Sequence, residues 1–159
     1  MKLIKNLIIF YIMSLLLLGC GFKTLDKSKI SSYEIVNIDS FGDKRINFLI
    51  KNDLKNKFKN VGSNQKIKIN LTTNKKKTIK DKNIKNQIVK YQISIDSTVQ
   101  INFINLNKTQ TIDVTSKGSY NVATSHSTTI NNQNNLENNL ANKISEEIIN
   151  KLILFINDL

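Results

Sequence analysis

From Tyr91 to Phe103 apolar and polar side chains take turns. Tyr91, Ile93, Ile95, Val99, Ile101 and Phe103 share one parity, and Gln92, Ser94, Asp96, Thr98, Gln100 and Asn102 share the other. Successive side chains of a β-strand point to opposite faces, so this pattern specifies a long strand with one buried and one wet face. A short connection, Leu106-Asn107-Lys108, follows. Ile112, Val114, Tyr120 and Val122 then alternate with Thr111, Asp113, Thr115, Lys117, Ser119 and Asn121. Two long alternating segments with so short a join form an antiparallel hairpin. Gly118, inside the second segment, marks either a bulge or the close approach of a helix.

The remaining elements read around this hairpin. Residues 33–39 form a first strand that ends at the turn cluster Ser40-Phe41-Gly42-Asp43. Residues 45–58 form a helix, because Ile46, Ile50, Leu54 and Phe58 recur every fourth position with Leu49 beside them, and Gly62 supplies a stop. Ile67, Ile69 and Leu71 alternate with Lys66, Lys68 and Asn70 as a half-buried strand. Residues 74–86 read as a lysine-rich loop, and residues 123–133 as a polar, partly irregular stretch. A last helix covers about 136–156: Leu136, Leu140, Ile144, Ile148 and Leu152 make one line, widened by Ala141, Ile149, Phe155 and Ile156. Asn134 or Asn135 is its expected cap, with Glu137 in a first turn where negative charge suits the helix dipole. Strands with one apolar face and two amphipathic helices combine into an α+β two-layer sandwich. The expectation is a largely antiparallel sheet of about four strands, in the order β-α-β-β-β-α, with both helices on one face and few charges beneath them.

The amino terminus addresses the chain to a membrane. Lys2 and Lys5 precede the apolar run from Leu7 to Leu18, and Gly19-Cys20 closes it. That is the plan of a secretory signal. The run is short of the ~20 residues that span a bilayer comfortably. Leu17-Leu18-Gly19-Cys20 resembles the bacterial lipobox, which implies a fatty-acylated Cys20 as the first mature residue. Gly21 in place of aspartate implies export to the outer membrane, with the chain on its periplasmic side. Residues 1–19 are then signal peptide, 20–32 a lipidated tether, and 33–159 a single domain.

The formal charge is +12, and the signal peptide takes only Lys2 and Lys5 away. Such basicity suits a polyanion. Lys, Asn and Ile are abundant together, however, as AT-rich coding produces, so the charge has a compositional source too. Export argues against nucleic acid and leaves anionic envelope lipids. Cys20 is the only cysteine and His126 the only histidine. Disulfides and thiolate metal sites are therefore excluded, and one histidine without clustered acids offers too few metal ligands. Ser125-His126 with Asp113 is not a triad by sequence proximity alone. No glycine-rich phosphate loop is present. The chain reads as a non-enzyme without cofactor.

Cys20-Gly21-Phe22 after a lipobox, the strand-helix start, the long hairpin from Tyr91-Gln92-Ile93-Ser94-Ile95, and Ser119-Tyr120-Asn121-Val122-Ala123-Thr124-Ser125 before a final helix with Leu140-Ala141 and Ile144 together resemble the LPS-assembly lipoprotein LptE family. The absence of proline and the lysine and asparagine content depart from it. The resemblance implies a partner, the LptD-type outer-membrane β-barrel, in whose lumen such proteins sit as plugs, and a role in lipopolysaccharide transport with direct lipopolysaccharide contact. A barrel lumen is polar, and the even-numbered face from Gln92 to Asn102 would meet it. Lys75, Lys76, Lys77, Lys80, Lys82 and Lys85 are the candidates for lipid A phosphates or acidic sugars, with Lys108 at the hairpin tip. The alternative is another outer-membrane lipoprotein, a lipid- or peptidoglycan-binding module.

Overall fold

A computed structural model describes residues 27–58 and 62–159. Cys20, the signal segment and the first part of the tether lie outside the described residues. Strand β1 is Tyr33–Gly42, helix α1 Lys44–Lys57, β2 Gln65–Lys82, β3 Ile88–Phe103, β4 Lys108–Asn121 and helix α2 His126–Asn157. The sheet is four-stranded with order β1-β2-β3-β4. β1 runs parallel to β2, which the α1 crossover permits, and the β2–β3 and β3–β4 pairs are antiparallel. This is the expected α+β arrangement, with the order β-α-β-β-β-α.

The alternating segments behave as their period dictates. Ile67, Ile69 and Leu71 of β2, Ile93, Ile95, Val99 and Ile101 of β3, and Ile112 and Val114 of β4 are buried on one face. Ser97, at the same parity, is buried among them. Ile46, Ile50 and Leu54 of α1 and Leu140, Ile144, Ile148 and Leu152 of α2 close over that face. Tyr33, Phe103 and Phe155 make a ring cluster at one end, with centroids 5.7 and 5.2 Å apart. The hairpin connection is a 3-10 turn, Ile104–Leu106, and Asn107 takes the left-handed conformation after it.

Four boundaries move. β1 continues through the expected turn cluster to Gly42, because Ser40, Phe41 and Gly42 still pair with Leu71, Thr72 and Thr73. At Gly42 φ is +96° and a Cβ would fall 1.8 Å from the Thr73 carbonyl oxygen, so only glycine fits where the chain leaves the sheet. Asp43 then caps α1, accepting a hydrogen bond from the Ile46 amide at 3.0 Å. Part of the expected tether is structured: Lys27–Ser32 is a 3-10 helix that buries Ile30.

The lysine-rich segment is no loop. β2 runs on to Lys82, paired with β3 as far as Ile88, and only residues 83–87 turn. Backbone pairing with β3 overrides the poor strand propensity of lysine. The last helix begins at His126, not near 136, with Ser125 at the N-cap in place of Asn134 or Asn135. Thr129 secures that start: its hydroxyl accepts from the Ala123 amide at 2.9 Å and donates to the Ser125 carbonyl at 3.1 Å. Glu137 therefore lies well inside the helix, far from the dipole's positive end. Gly118 resolves as the close approach: its β3 pairing is regular, and a Cβ would lie 2.6 Å from Leu136 Cδ1.

Candidate functional site

The open face of the sheet carries hydroxyls, amides and carboxylates in register. Thr98 Oγ1 donates to Asp113 Oδ1 at 2.6 Å, Thr115 Oγ1 to Asp96 Oδ1 at 2.7 Å, and Thr109 Oγ1 to Asn102 Oδ1 at 2.8 Å. Asn70 Nδ2 reaches Gln100 Oε1 at 3.5 Å. Lys68 meets Asp39 at 3.2 Å. Cross-strand pairs of this kind stiffen a sheet. Here they also present a polar surface that the helices do not cover.

The lysines of β2 divide between the two faces, because the strand's alternation continues through them. Lys75 and Lys77 share the parity of buried Leu71 and Thr73 and lie on the helix side. Lys76 and Lys80 lie on the open side, where Lys80 Nζ donates to Ser119 Oγ at 3.3 Å. Lys82 Nζ donates to Asn86 Oδ1 at 2.9 Å in the turn, and the Lys85 amide donates to Asn83 Oδ1 at 3.0 Å. Lys108 pairs with Phe103 at the other end of the sheet. Fifteen residues of β3 separate Phe103 from Ile88, the partner of Lys82, which is about 50 Å at ~3.3 Å per residue. The structure thus brings Lys80, Lys82 and Lys85 to one end, places Lys76 nearer the middle of the sheet, and leaves Lys108 apart.

Lys75 serves an internal network. Its ammonium lies 2.8 Å from Asp43 Oδ2 and 3.3 Å from Glu137 Oε1. Glu137 is only 2 % exposed, and it also meets Arg45 at 3.8 Å and accepts from Gln133 Nε2 at 2.9 Å. Arg45 in turn donates to Asn134 and Asn138. Partial burial pushes the Asp43 carboxyl up, but the Ile46 amide and the Lys75 ammonium together outweigh it and hold the group below its ordinary value. Burial pushes the Lys75 ammonium down, but its two carboxylate partners outweigh that and raise it. The network ties the start of α1, the middle of β2 and the body of α2 together. Sequence reading missed it, although Lys75 continues the inward parity of Leu71 and Glu137 falls in line with Ala141 and Ile144.

Lys77 is also engaged. Its Nζ lies 4.2 Å from the Tyr91 ring centroid and 5.4 Å from that of Tyr120, and it donates to Gln133 Oε1 at 2.8 Å. The two tyrosines stack at 5.7 Å, and Tyr120 Oη donates to the same Gln133 oxygen at 2.9 Å. Beside them a cleft of about 410 Å³ opens, lined by Lys77, Tyr91, His126, Thr129, Ile130 and Gln133 among others. The Ser-His-Asp combination does not assemble. Asp113 is engaged with Thr98 on the open face, whereas His126 opens α2 beside the cleft. Among the described residues no three His, Cys, Asp or Glu side chains cluster as metal ligands. No helix among them is long and apolar enough to cross a membrane.

The sequence matches no protein-family model and no curated protein. Its fold does match solved structures. A crystal structure from Caulobacter crescentus, described provisionally as a lipoprotein, superposes with a TM-score of 0.61 at 14% identity, over 83% of this chain and 95% of that one. Rare lipoprotein B from Shewanella oneidensis superposes with a TM-score of 0.58 at 8% identity, over 77% of this chain and 97% of that one. At these identities the likeness establishes a shared fold. The chain's structural neighbours are thus bacterial lipoproteins that it matches over nearly their full length.

Proposed function

We propose that this chain is a lipid-anchored, non-enzymatic outer-membrane subunit of lipopolysaccharide transport. In this reading it is fastened through Cys20 on the periplasmic side and acts as plug and assembly partner of an LptD-type β-barrel. The observation that carries the reading is the open sheet face. Its hydroxyl, amide and carboxylate groups, built on strands of 14 to 18 residues, offer a long stiff polar wall. A wide barrel lumen is itself polar and water-filled, so such a wall can enter it without burying unpaired polar groups. The lipobox-like Leu17-Leu18-Gly19-Cys20 and the fold shared with rare lipoprotein B support the same reading. Lysines of the distal half of β2, Lys76, Lys80 and Lys82 above all, are the groups offered to lipopolysaccharide phosphates. Lysine provides a mobile point charge for that role rather than a fixed fork.

The test is purification of the full-length lipidated protein in mild detergent, with mass spectrometry of whatever accompanies it. The expected companion is a large outer-membrane β-barrel in equimolar amount. Replacing Thr98 and Gln100 on the open face with bulky arginines is expected to abolish that companionship while the chain still unfolds cooperatively, at a cost of no more than about 1 kcal/mol for each cross-strand pair lost. An acylated monomer without a barrel would favour a lipid- or peptidoglycan-binding module. Recovery from cytosol with residues 1–19 intact would overturn the anchored reading altogether.

A further inference from the structure

The β2–β3 turn holds the most exposed large apolar side chain of the described residues, and the turn is built without it. Asn83 organises the loop: its amide donates to the Gln87 carbonyl at 2.9 Å, and its Oδ1 accepts from the amides of Lys85 and Gln87 at 3.0 and 2.9 Å. Asn83 Nδ2 also reaches Gln87 Oε1 at 2.9 Å, and Asn86 takes φ 61°. These are the polar residues that turns use. Ile84 stands at the apex of this framework fully exposed, and Ile79 and Val89 flank it, also exposed. Residues 79–90 contain Lys80, Lys82, Lys85 and Lys90 against the single acid Asp81. The tip lies beyond the last β1 pairing, Gly42 with Thr73, and so projects past the β1 side of the sheet.

We propose that this tip docks on a bilayer surface carrying anionic phospholipid. Ile84 enters the boundary between headgroups and acyl chains, while Lys80, Lys82, Lys85 and Lys90 meet lipid phosphates. An apolar side chain ringed by cations is the pattern of an interfacial membrane contact. Lysine stems lie along apolar surface while their ammonium groups stay at headgroup level. The tip carries no arginine to form a fixed fork on one defined ligand, whereas separate phosphates of a fluid layer need only mobile point charges. The chain enters the fold near Tyr33 and Phe103, at the other end of the sheet. The tip is therefore a second contact distinct from any acyl anchor. The proposal goes beyond the barrel reading and does not depend on it; it shares Lys80 and Lys82 with the lipopolysaccharide contact proposed above, and the choice of lipid in the experiment separates the two.

The chain contains no tryptophan, so Ile84→Trp introduces a sole reporter. The mature chain carrying Cys20→Ser removes any acyl contribution. Its Ile84→Trp emission is expected to shift to the blue with mixed phosphatidylethanolamine and phosphatidylglycerol vesicles and to stay put with neutral phosphatidylcholine. In cosedimentation, Ile84→Ser is expected to weaken vesicle binding about tenfold. The K80Q/K82Q/K85Q triple variant should weaken it about a hundredfold, roughly fivefold per lysine. Equal binding by Ile84→Ser, no spectral shift, or a shift with lipopolysaccharide aggregates alone would each overturn the proposal. Capture of a barrel partner by these same variants is expected to be unaffected, so its loss would bear on the proposed function instead.

Discussion

Lys75 holds two carboxylates at once, Asp43 at 2.8 Å and Glu137 at 3.3 Å, and through them three elements. Glu137 is nearly inaccessible to water, so those partners supply the polar contacts that solvent does not. Removing the ammonium with Lys75→Met leaves Glu137 to Arg45 and Gln133 alone. The expected loss is about 2–3 kcal/mol of unfolding free energy, measured by urea titration at neutral pH. A change below about 0.5 kcal/mol, the size of an ordinary surface substitution, would show that the network is ornamental. The pH dependence has a sign on each side. Asp43 lies below its ordinary 3.8, so its share of stability is present above that value and is lost as pH falls through the lowered one. Lys75 lies above its ordinary 10.5, so its share is complete below that value and is lost as pH climbs past the raised one. The gap between native and Lys75→Met stability is therefore expected to be flat through neutral pH and to narrow at both extremes.

Elements were legible in the sequence wherever an apolar period marked them. β3, β4, the first half of β2, α1 and the body of α2 bury Ile, Leu and Val at their expected spacing. The distal half of β2 and the first turns of α2 were not legible, because their positions are exposed or meet the rest of the fold through polar groups. Lys77 and Tyr120 meet Gln133, Lys75 meets Glu137, and Arg45 meets Asn134 and Asn138. Inward positions filled by lysine, glutamine and glutamate carry no hydrophobic period, so a strand reads as a loop and a helix as an irregular stretch. The candidate lysines could be named from sequence, but their division between two faces follows from strand pairing, which a loop reading hides. Where the polar and apolar parts of the interior meet, Gly118 lets α2 approach β4. A valine there would push on Leu136, whose Cδ1 lies 2.6 Å from the Cβ position, and on Leu140 Cδ2 at 3.4 Å. Gly118→Val is expected to lower stability by about 2 kcal/mol. Adding Leu136→Ala should return most of that loss, because it vacates the space. If the double variant is merely the sum of the two single ones, the contact is not what makes glycine necessary.

At the scale of the whole molecule, charge is distributed by end and by face, and this decides what a lysine substitution can report. Reversing Lys75 and Lys77 would strike the internal network and the tyrosine stack, so lost ligand binding in such a variant would be confounded with lost packing. Lys76, Lys80 and Lys82 are exposed, and their reversal tests the surface alone. Lys108 is exposed as well, but it sits at the far end of the sheet, about 30 Å from Lys76 and more from Lys80 and Lys82 by strand rise. That distance is several times the ~8 Å over which charges interact at physiological salt, so the two ends act independently. If lipopolysaccharide phosphates are met at the β2 end, K76E/K80E/K82E should weaken binding at least about tenfold. Lys108→Glu, with the smaller change in net charge, should leave it within about twofold, since its own field is screened before reaching that end. The measurement is surface-immobilised lipopolysaccharide titrated with the Cys20→Ser chain at physiological salt. Equal weakening by Lys108→Glu would mean that both ends take part, either on one extended ligand or through net charge, and the assignment of the contact to the β2 end would fall.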